Sequence, residues 1–285
     1  GAPGRHAAPG SLTVQGGSPV PLSPEILAYP KIDVHIRVGL GLAAVADGEA
    51  ERYLEDSRRV GIDKIMISRP FTGPSKPTAG PDEVARANDM VMELVARYPC
   101  TVYGYAYLHP GWGERARREM ERCMACRGMV GIKLYNQYLF DDPVVIDLVR
   151  EAARARAVVL LHQGKSIETS VRTQQPLISD GTHIARLAAA VPEARLICGH
   201  IGGGGDWEWC ARSLADSPSV FVDTSGSVVD AGMLELAARE IGVSRMLFAT
   251  DMSIDQGAGK ILGARIADED KRAICRGNAL RLFGE

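Results

Sequence analysis

The sequence predicts an α/β protein built as one (β/α)8 barrel in a single domain. Eight short, β-branched apolar runs alternate with amphipathic stretches of helical periodicity. Successive runs begin about 25–35 residues apart, which is the length of a strand–helix–strand unit. The chain has 285 residues, and parallel barrels of similar length commonly form one domain. An open, doubly wound sheet is the competing architecture, but the first strand is followed by no glycine-rich dinucleotide fingerprint.

The elements follow one another in strict alternation along the chain. The predicted strands are Lys31–Val38, Lys64–Ser68, Val102–Leu108, Met129–Leu134, Val158–Leu161, Arg195–Cys198, Val220–Asp223 and Met246–Ala249. The predicted helices are Glu49–Val60, Pro81 to about Tyr98, Trp112–Cys126, Val144–Ala155, Gly181–Ala190, Asp206–Leu214 and Val229–Gly242. Pro81 occupies a first helical turn, where the missing amide proton costs nothing.

The first 24 residues differ in composition from the rest of the chain. Ten of them are glycine or proline, and no apolar segment follows a basic start as in a signal peptide. We therefore expect a flexible leader over residues 1–24 and the barrel over residues 25–285.

Charge and composition exclude several classes of partner. The 33 basic and 35 acidic residues give a net charge of −2, which offers no basic surface for nucleic acid or an anionic membrane. Uninterrupted apolar runs fall short of the ~18 residues that cross a bilayer. Six cysteines are too few for a disulfide scaffold in a chain of this length. These features favour a cytoplasmic protein with a small-molecule substrate.

The first predicted strand carries three ionisable residues in alternation with aliphatic ones. Asp33, His35 and Arg37 share one face because side chains along a strand have a period of two. Three ionisable groups that face a barrel interior are costly to bury unless they are paired or bind a ligand.

Polar residues also stand at the ends of four other predicted strands. His162, His200 and Asp251 each follow a strand end directly or closely, and Lys133 lies near the end of the fourth strand. The active site of a parallel barrel lies at the carboxyl ends of its strands. Histidines with one carboxylate form a ligand set suited to zinc, manganese or iron(II). The pattern predicts a shared functional site with the donors for one divalent ion.

These motifs resemble the amidohydrolase superfamily, in its amidohydrolase-related branch of metal-dependent hydrolases and decarboxylases. The pieces that carry the resemblance are Ile32–Arg37 (IDVHIR), Gly131–Tyr135 (GIKLY), Leu160–Gly164 (LLHQG), Cys198–Gly203 (CGHIGG), Phe248–Asp251 (FATD) and the closing helix Cys275–Gly284 (CRGNALRLFG). They span Lys31 to Gly284, nearly the whole barrel, in the order and spacing of that family.

The resemblance implies roles for individual residues. His35, His162 and Asp251 match the metal ligands, with Asp251 also taking a proton from water. His200 matches the acid/base or oxyanion-stabilising histidine. The substrate-binding candidates around them are Arg37, Lys133, Tyr135 and Lys165. The resemblance also implies one divalent ion, with zinc expected and manganese as the alternative, and a homo-oligomer.

Arg37 departs from the family pattern, which has a second histidine at this position. A guanidinium has no lone pair for a metal and stays protonated. Three outcomes remain open. Arg37 turns away and leaves the other ligands to hold the ion, or it binds a substrate carboxylate as a fork, or it replaces the metal altogether.

We expect a metal-dependent hydrolase of an ester, lactone or amide bond in a small, carboxylated molecule. In this reading, metal-bound water is deprotonated by Asp251 and attacks the carbonyl carbon. A non-oxidative decarboxylase with the same metal site is the alternative, and the sequence does not separate the two. A third reading of another class, favoured by Arg37, is a catalytically impaired barrel that binds a ligand or partner.

Overall fold

The computed structural model describes residues 24–39, 48–71, 79–164, 169–201 and 203–284. Within them, eight parallel strands form one sheet in the order of the sequence. The strands are β1 (Lys31–Arg37), β2 (Ile62–Ser68), β3 (Val102–Tyr107), β4 (Met129–Leu134), β5 (Val158–His162), β6 (Arg195–Gly199), β7 (Val220–Asp223) and β8 (Met246–Leu247). The predicted leader lies outside the described residues, apart from Pro24.

Helices connect the strands along the chain. They are α1 (Pro24–Leu27), α2 (Glu49–Arg59), α3 (Pro81–Arg97), α4 (Glu114–Met124), α5 (Pro143–Arg154), α6 (Thr169–Gln174), α7 (Gly181–Ala190), α8 (Trp207–Ser213), α9 (Met233–Ala237), α10 (Ile254–Gly263), α11 (Asp268–Arg272) and α12 (Asn278–Phe283). None of the helices that the structure describes is long and apolar enough to cross a membrane.

Backbone and side-chain hydrogen bonds join the first strand to the last. The amide of Val34 donates to the carbonyl of Phe248 over 3.1 Å. Beyond it, the hydroxyl of Thr250 donates to the buried Asp33 carboxylate over 2.5 Å. The sheet is therefore a nearly closed (β/α)8 TIM barrel in a single domain, as predicted.

The strict alternation predicted for β1 is interrupted by a bulge. Asp33 and Ile36 lie opposite Ile65 and Ile67, so β1 has one residue more than β2 over this stretch. As a result, Val34 packs with residues of the opposite strands inside the barrel, whereas Ile36 packs in the outer layer. The predicted alternation, with ionisable residues on one face and aliphatic residues on the other, is therefore wrong at Val34.

Two other elements have bounds that differ from the predicted ones, β8 at its end and α9 at its start. β8 is shorter than Met246–Ala249 because the amide of Phe248 donates to the carbonyl of Ile274, near the carboxyl terminus, over 3.0 Å. The helix predicted from Val229 begins only at Met233, because Gly232 before it has a left-handed backbone with φ 88°. Beyond α9 the helix continues as a π-helical turn over Ala238–Gly242.

Candidate active site

The barrel places three potential metal donors together at the carboxyl ends of the strands. One ligand atom from each of His35, His200 and Asp251 lies within 4.8 Å of the other two. His200 and Asp251 both have left-handed backbones, with φ 67° and 45°. Such conformations are costly for residues other than glycine and occur often at functional sites. The amide of Asp251 donates to the carbonyl of His35 over 3.0 Å, which holds the two residues side by side.

His35 lies between an acidic and a basic residue, and all three are buried. Its Nδ1 is 2.8 Å from Oδ2 of Asp223, and its Nε2 is 3.0 Å from Nζ of Lys133. Burial opposes the ionisation of Asp223, but its interactions with His35, His200 and Ser225 outweigh burial and hold its pKa well below the usual range. An ionised Asp223 accepts the proton of Nδ1, which leaves the lone pair of His35 on Nε2.

Lys133 is fully buried at the site. Burial lowers the pKa of its ammonium to about 7, and the nearby Arg37 lowers it further against the attraction of Asp251 and Asp223. Its Nζ also lies 5.7 Å from the centre of the Tyr135 ring. Lys133 therefore has both a lone-pair acceptor and an aromatic face beside it.

Arg37 lies next to Asp251 at the open side of the site. Its Nε is 3.4 Å from Oδ1 of Asp251, and the Arg37 side chain is 34% exposed. That Oδ1 is buried and has no hydrogen-bond partner among the described residues. Arg37 has thus not turned away from the site, and its charge faces the carboxylate that was predicted as a ligand.

His162 lies beside the group of donors and contacts it through His200. Its Nδ1 is 3.0 Å from Nε2 of His200, and its ring stacks on Tyr135 with centroids 3.8 Å apart. Burial lowers the pKa of both histidines well below the usual value, so both are neutral. His200 occupies the place in the donor group that the sequence analysis gave to His162, whose role as a ligand stays a prediction.

Aromatic side chains form one wall next to these polar residues. Tyr135 packs in a buried cluster with Phe71 and Tyr107, and Trp112 packs against the cluster. The side-chain amide of Gln137 donates to the hydroxyl of Tyr107. Because His162 stacks on Tyr135, this buried cluster supports the histidine from behind. Lys165, the other predicted substrate-binding residue, lies outside the described residues.

Asp223 is the main residue of the site that the sequence analysis missed. It ends β7, and its carboxylate is fully buried with His35 and Ser225 as side-chain partners. The signal was its position, since it ends a predicted strand as an acidic residue after Val-Phe-Val. Apolar strands commonly end in a polar residue, so position alone did not distinguish it.

Comparison with known proteins confirms the family resemblance. The profile of the family described as Amidohydrolase matches residues 32–284. A γ-resorcylate decarboxylase from Polaromonas sp. is 27% identical in an alignment that covers 72% of this chain and 77% of that protein.

Solved structures share the fold. A 2,6-dihydroxybenzoate decarboxylase in complex with 2,6-dihydroxybenzoate superposes with a TM-score of 0.70 at 20% identity, over 90% of this chain and 99% of that one. A dihydroxybenzoic acid decarboxylase from Polaromonas sp., with bound manganese and 2-nitroresorcinol, gives 0.68 at 20% identity, over 90% and 97%.

These relatives correct the expectation of a hydrolase. The three curated relatives are all γ-resorcylate decarboxylases. Hydrolases and decarboxylases of this family share strand-end histidines and an aspartate, so the motifs had left the reaction open. The prediction of a hydrolase was wrong. Decarboxylation, the alternative given with that prediction, is better supported.

Proposed function

Because the chain belongs to the amidohydrolase family of enzymes, we propose that it is a non-oxidative decarboxylase of a small aromatic carboxylic acid. The observation that carries the proposal is the pair of basic residues next to the potential metal donors, since Arg37 lies 3.4 Å from Asp251 and Lys133 lies 3.0 Å from His35. The pair supplies the positive charge that a carboxylate needs. The names of the relatives support the same reaction.

The substrate carboxylate binds to the two cations in this proposal. Arg37 offers a planar fork of N–H donors at the open side, where part of it meets solvent. Lys133 offers an ammonium beside His35, and Lys165 adds a third positive charge, as predicted from the sequence. A neutral analogue would give these cations no carboxylate to bind.

Decarboxylation breaks the bond between the ring carbon and the carboxylate carbon. The electron pair of that bond stays on the ring carbon, which takes a proton, and the carboxylate leaves as carbon dioxide. We assign the proton to Oδ2 of Asp251, which takes it up from solvent before each turnover, while the buried Oδ1, which accepts no hydrogen bond from the described residues, keeps its lone pair. Nδ1 of His200 lies 3.8 Å from Oδ2 of Asp251, beyond hydrogen-bond distance.

The donor set fits a divalent ion. Nε2 of His35 carries a lone pair because Asp223 holds the proton on Nδ1, and this carboxylate–histidine pair is the usual support of a metal-bound imidazole. The unpartnered Oδ1 of Asp251 is a second donor. We propose that His35, Asp251 and His200 hold the ion, zinc or manganese, with His162 behind them. When bound, such an ion supplies a fixed positive charge that orients an anionic substrate.

Lys133 bears on how tightly that ion binds. Its Nζ is 3.0 Å from Nε2 of His35, so the ion and the ammonium would compete for the lone pair of that nitrogen. This competition and the charge of Arg37 both weaken metal binding relative to a site with a histidine pair on the first strand.

Substrate screening tests the proposed reaction. Hydroxybenzoates should be converted to the corresponding phenols, and their methyl esters should be neither decarboxylated nor hydrolysed. Turnover of lactones, esters or amides without loss of a carboxyl group would overturn the proposal. Tight binding of hydroxybenzoates without turnover, with metal present, would favour the third reading, a barrel that binds a ligand only.

A further inference from the structure

We infer that Tyr105 is a positioning residue, because its hydroxyl stabilises the bulge in β1 that turns His35 into the mouth of the barrel. Tyr105 lies on β3, two strands from β1, and its side chain is fully buried inside the barrel. The inference rests on the proposed function only where it takes His35 as a metal ligand, and its structural part holds without that role.

The bulge allows two consecutive residues of β1 to point inward. Where the pairing passes over Met66, β2 has one residue and β1 has two, Val34 and His35. Val34 packs in the inner cluster with Leu160, and the ring of His35 reaches Lys133 on β4. Neighbours in a regular strand point to opposite faces, so without the extra residue an inward Val34 would leave His35 facing the helices.

Tyr105 bonds to the bulge at the carbonyl of Val34. Its hydroxyl donates to that carbonyl over 3.1 Å, and the amide of Val34 donates to the carbonyl of Phe248. The sulfur of Met66 is another acceptor near the hydroxyl, at 3.7 Å. A thioether is a weak acceptor, so the phenol proton belongs to the carbonyl. A buried carbonyl that loses its donor is costly, and the hydroxyl therefore favours the bulged backbone.

The bulge sets the position of two of the three donors of the site. His35 follows Val34 directly, and its carbonyl accepts the amide of Asp251 over 3.0 Å. A shift of the bulge would therefore move His35 and Asp251 together. Tyr105 acts on both through Val34, so it positions these residues and takes no part in the reaction itself.

Tyr105→Phe removes the hydroxyl and keeps the ring that fills the barrel. Tyr29→Phe is the matched control, because Tyr29 is also buried and its hydroxyl donates to Asp268 over 2.8 Å. Tyr29 precedes β1, at the amino ends of the strands, whereas the bulge lies toward the other end. Each variant loses one buried hydrogen bond, and only Tyr105→Phe loses it at the bulge.

Hydrogen exchange of the intact chain tests the structural part of the inference. In Tyr105→Phe we expect the amides of Val34 and Asp251 to exchange at least about tenfold faster relative to the amides of β5. The same ratio should stay at its wild-type value in Tyr29→Phe. It should also stay unchanged in Met66→Leu, which removes the alternative acceptor and keeps the volume of the side chain.

Calorimetric titration with zinc tests the consequence for the site. The dissociation constant should rise by about tenfold in Tyr105→Phe and stay unchanged in Tyr29→Phe and Met66→Leu.

An unchanged exchange ratio in Tyr105→Phe, or an equal rise in Tyr29→Phe, would overturn the inference. So would a wild type that binds zinc and a Tyr105→Phe variant that binds it as tightly. If the wild type binds neither zinc nor manganese, the proposed metal site is wrong, and the exchange ratio alone decides whether Tyr105 stabilises the bulge.

Discussion

At the residue scale, Asp251 has two proposed roles, as the proton donor and as a metal ligand. Asp251→Asn keeps the size of the side chain and removes its acidity and charge. We expect kcat to fall by about 10²–10⁴ with the fold intact. The exposed Asp255, four residues further on, provides the control Asp255→Asn, which should leave kcat unchanged. Near wild-type activity of Asp251→Asn would remove this residue from the reaction.

A substitution of Arg37 can distinguish its proposed role in substrate binding from its effect on metal binding. Arg37→His restores the histidine pair of the family and removes a cation next to Asp251, so metal affinity should rise. The substrate carboxylate loses a charged partner, which should weaken its binding by about 1.5–3 kcal/mol. Calorimetric titration with zinc, manganese and a hydroxybenzoate measures both effects.

The surface residue Arg97, which pairs with Glu51, provides a control for the change of charge. Arg97→His should alter neither affinity. Unchanged metal affinity in Arg37→His would show that the remaining donors are not arranged for an ion.

Lys133 should make the stability of the wild-type protein depend on pH. Its folded pKa is lowered from 10.5 to about 7, so between these values the unfolded chain holds a proton that the folded chain has released. The contribution of Lys133 to the free energy of unfolding therefore rises as the pH increases above about 7. That gain is lost again as the pH falls to about 7. The free energy of unfolding of Lys133→Met, minus that of the wild type, should fall by at most about 1.4 kcal/mol per pH unit over this range.

Denaturant unfolding of both proteins at about pH 6 and about pH 9 measures this difference, since other titrating groups are common to both. A difference that does not vary with pH would contradict the buried, weakly basic ammonium.

Sequence reasoning at this scale identified which residues meet, but not every contact between them. His200 and Asp251 were predicted because each follows an apolar strand, and His35 because it alternates with aliphatic residues along the first strand. That His200 groups with Asp251 while His162 stacks on Tyr135 depends on ring orientations. Such orientations follow from tertiary packing and leave no mark in the spacing of the motifs.

At the scale of elements, β6 approaches β1 closely at Gly199. A Cβ atom there would lie 2.8 Å from the carbonyl oxygen of Leu161 and 3.0 Å from Cε1 of His35. Gly199→Ala should therefore displace the His35 ring, lower metal affinity, and reduce the free energy of unfolding by about 1–3 kcal/mol.

Gly259 provides the matched control because a Cβ atom there would meet nothing within 4 Å, and it lies within α10. Gly259→Ala should raise stability by up to about 1 kcal/mol and leave metal affinity unchanged. If Gly199→Ala binds metal as tightly as the wild type, the His35 ring does not pack against Gly199 as closely as the structure shows.

The strands were more predictable than the helix starts and the bulge. Apolar runs such as Val158–His162 are buried on both faces, so composition alone locates them. The bulge in β1 and the late start of α9 come from local backbone conformations that hydrophobic periodicity does not report.

At the scale of the whole molecule, closure of the barrel brings the residues of the candidate site together. The bond from Thr250 to Asp33 brings the end of β8 to β1, and with it Asp251 to His35 and Arg37. The barrel itself was predictable because eight strand–helix units leave few other arrangements. The reaction was not, since hydrolysis and decarboxylation use the same strand-end residues.

Loss of the carboxyl carbon tests the proposed function most directly. 2,6-Dihydroxybenzoate labelled with ¹³C in its carboxyl group is incubated with the metal-supplemented protein and followed by carbon NMR. The proposal predicts that the labelled signal moves to carbon dioxide and bicarbonate, that resorcinol accumulates in equal amount, and that Asp251→Asn slows both changes together. If this acid and related hydroxybenzoates keep their labelled carboxyl groups while a lactone or ester is cleaved, the chain is not a decarboxylase.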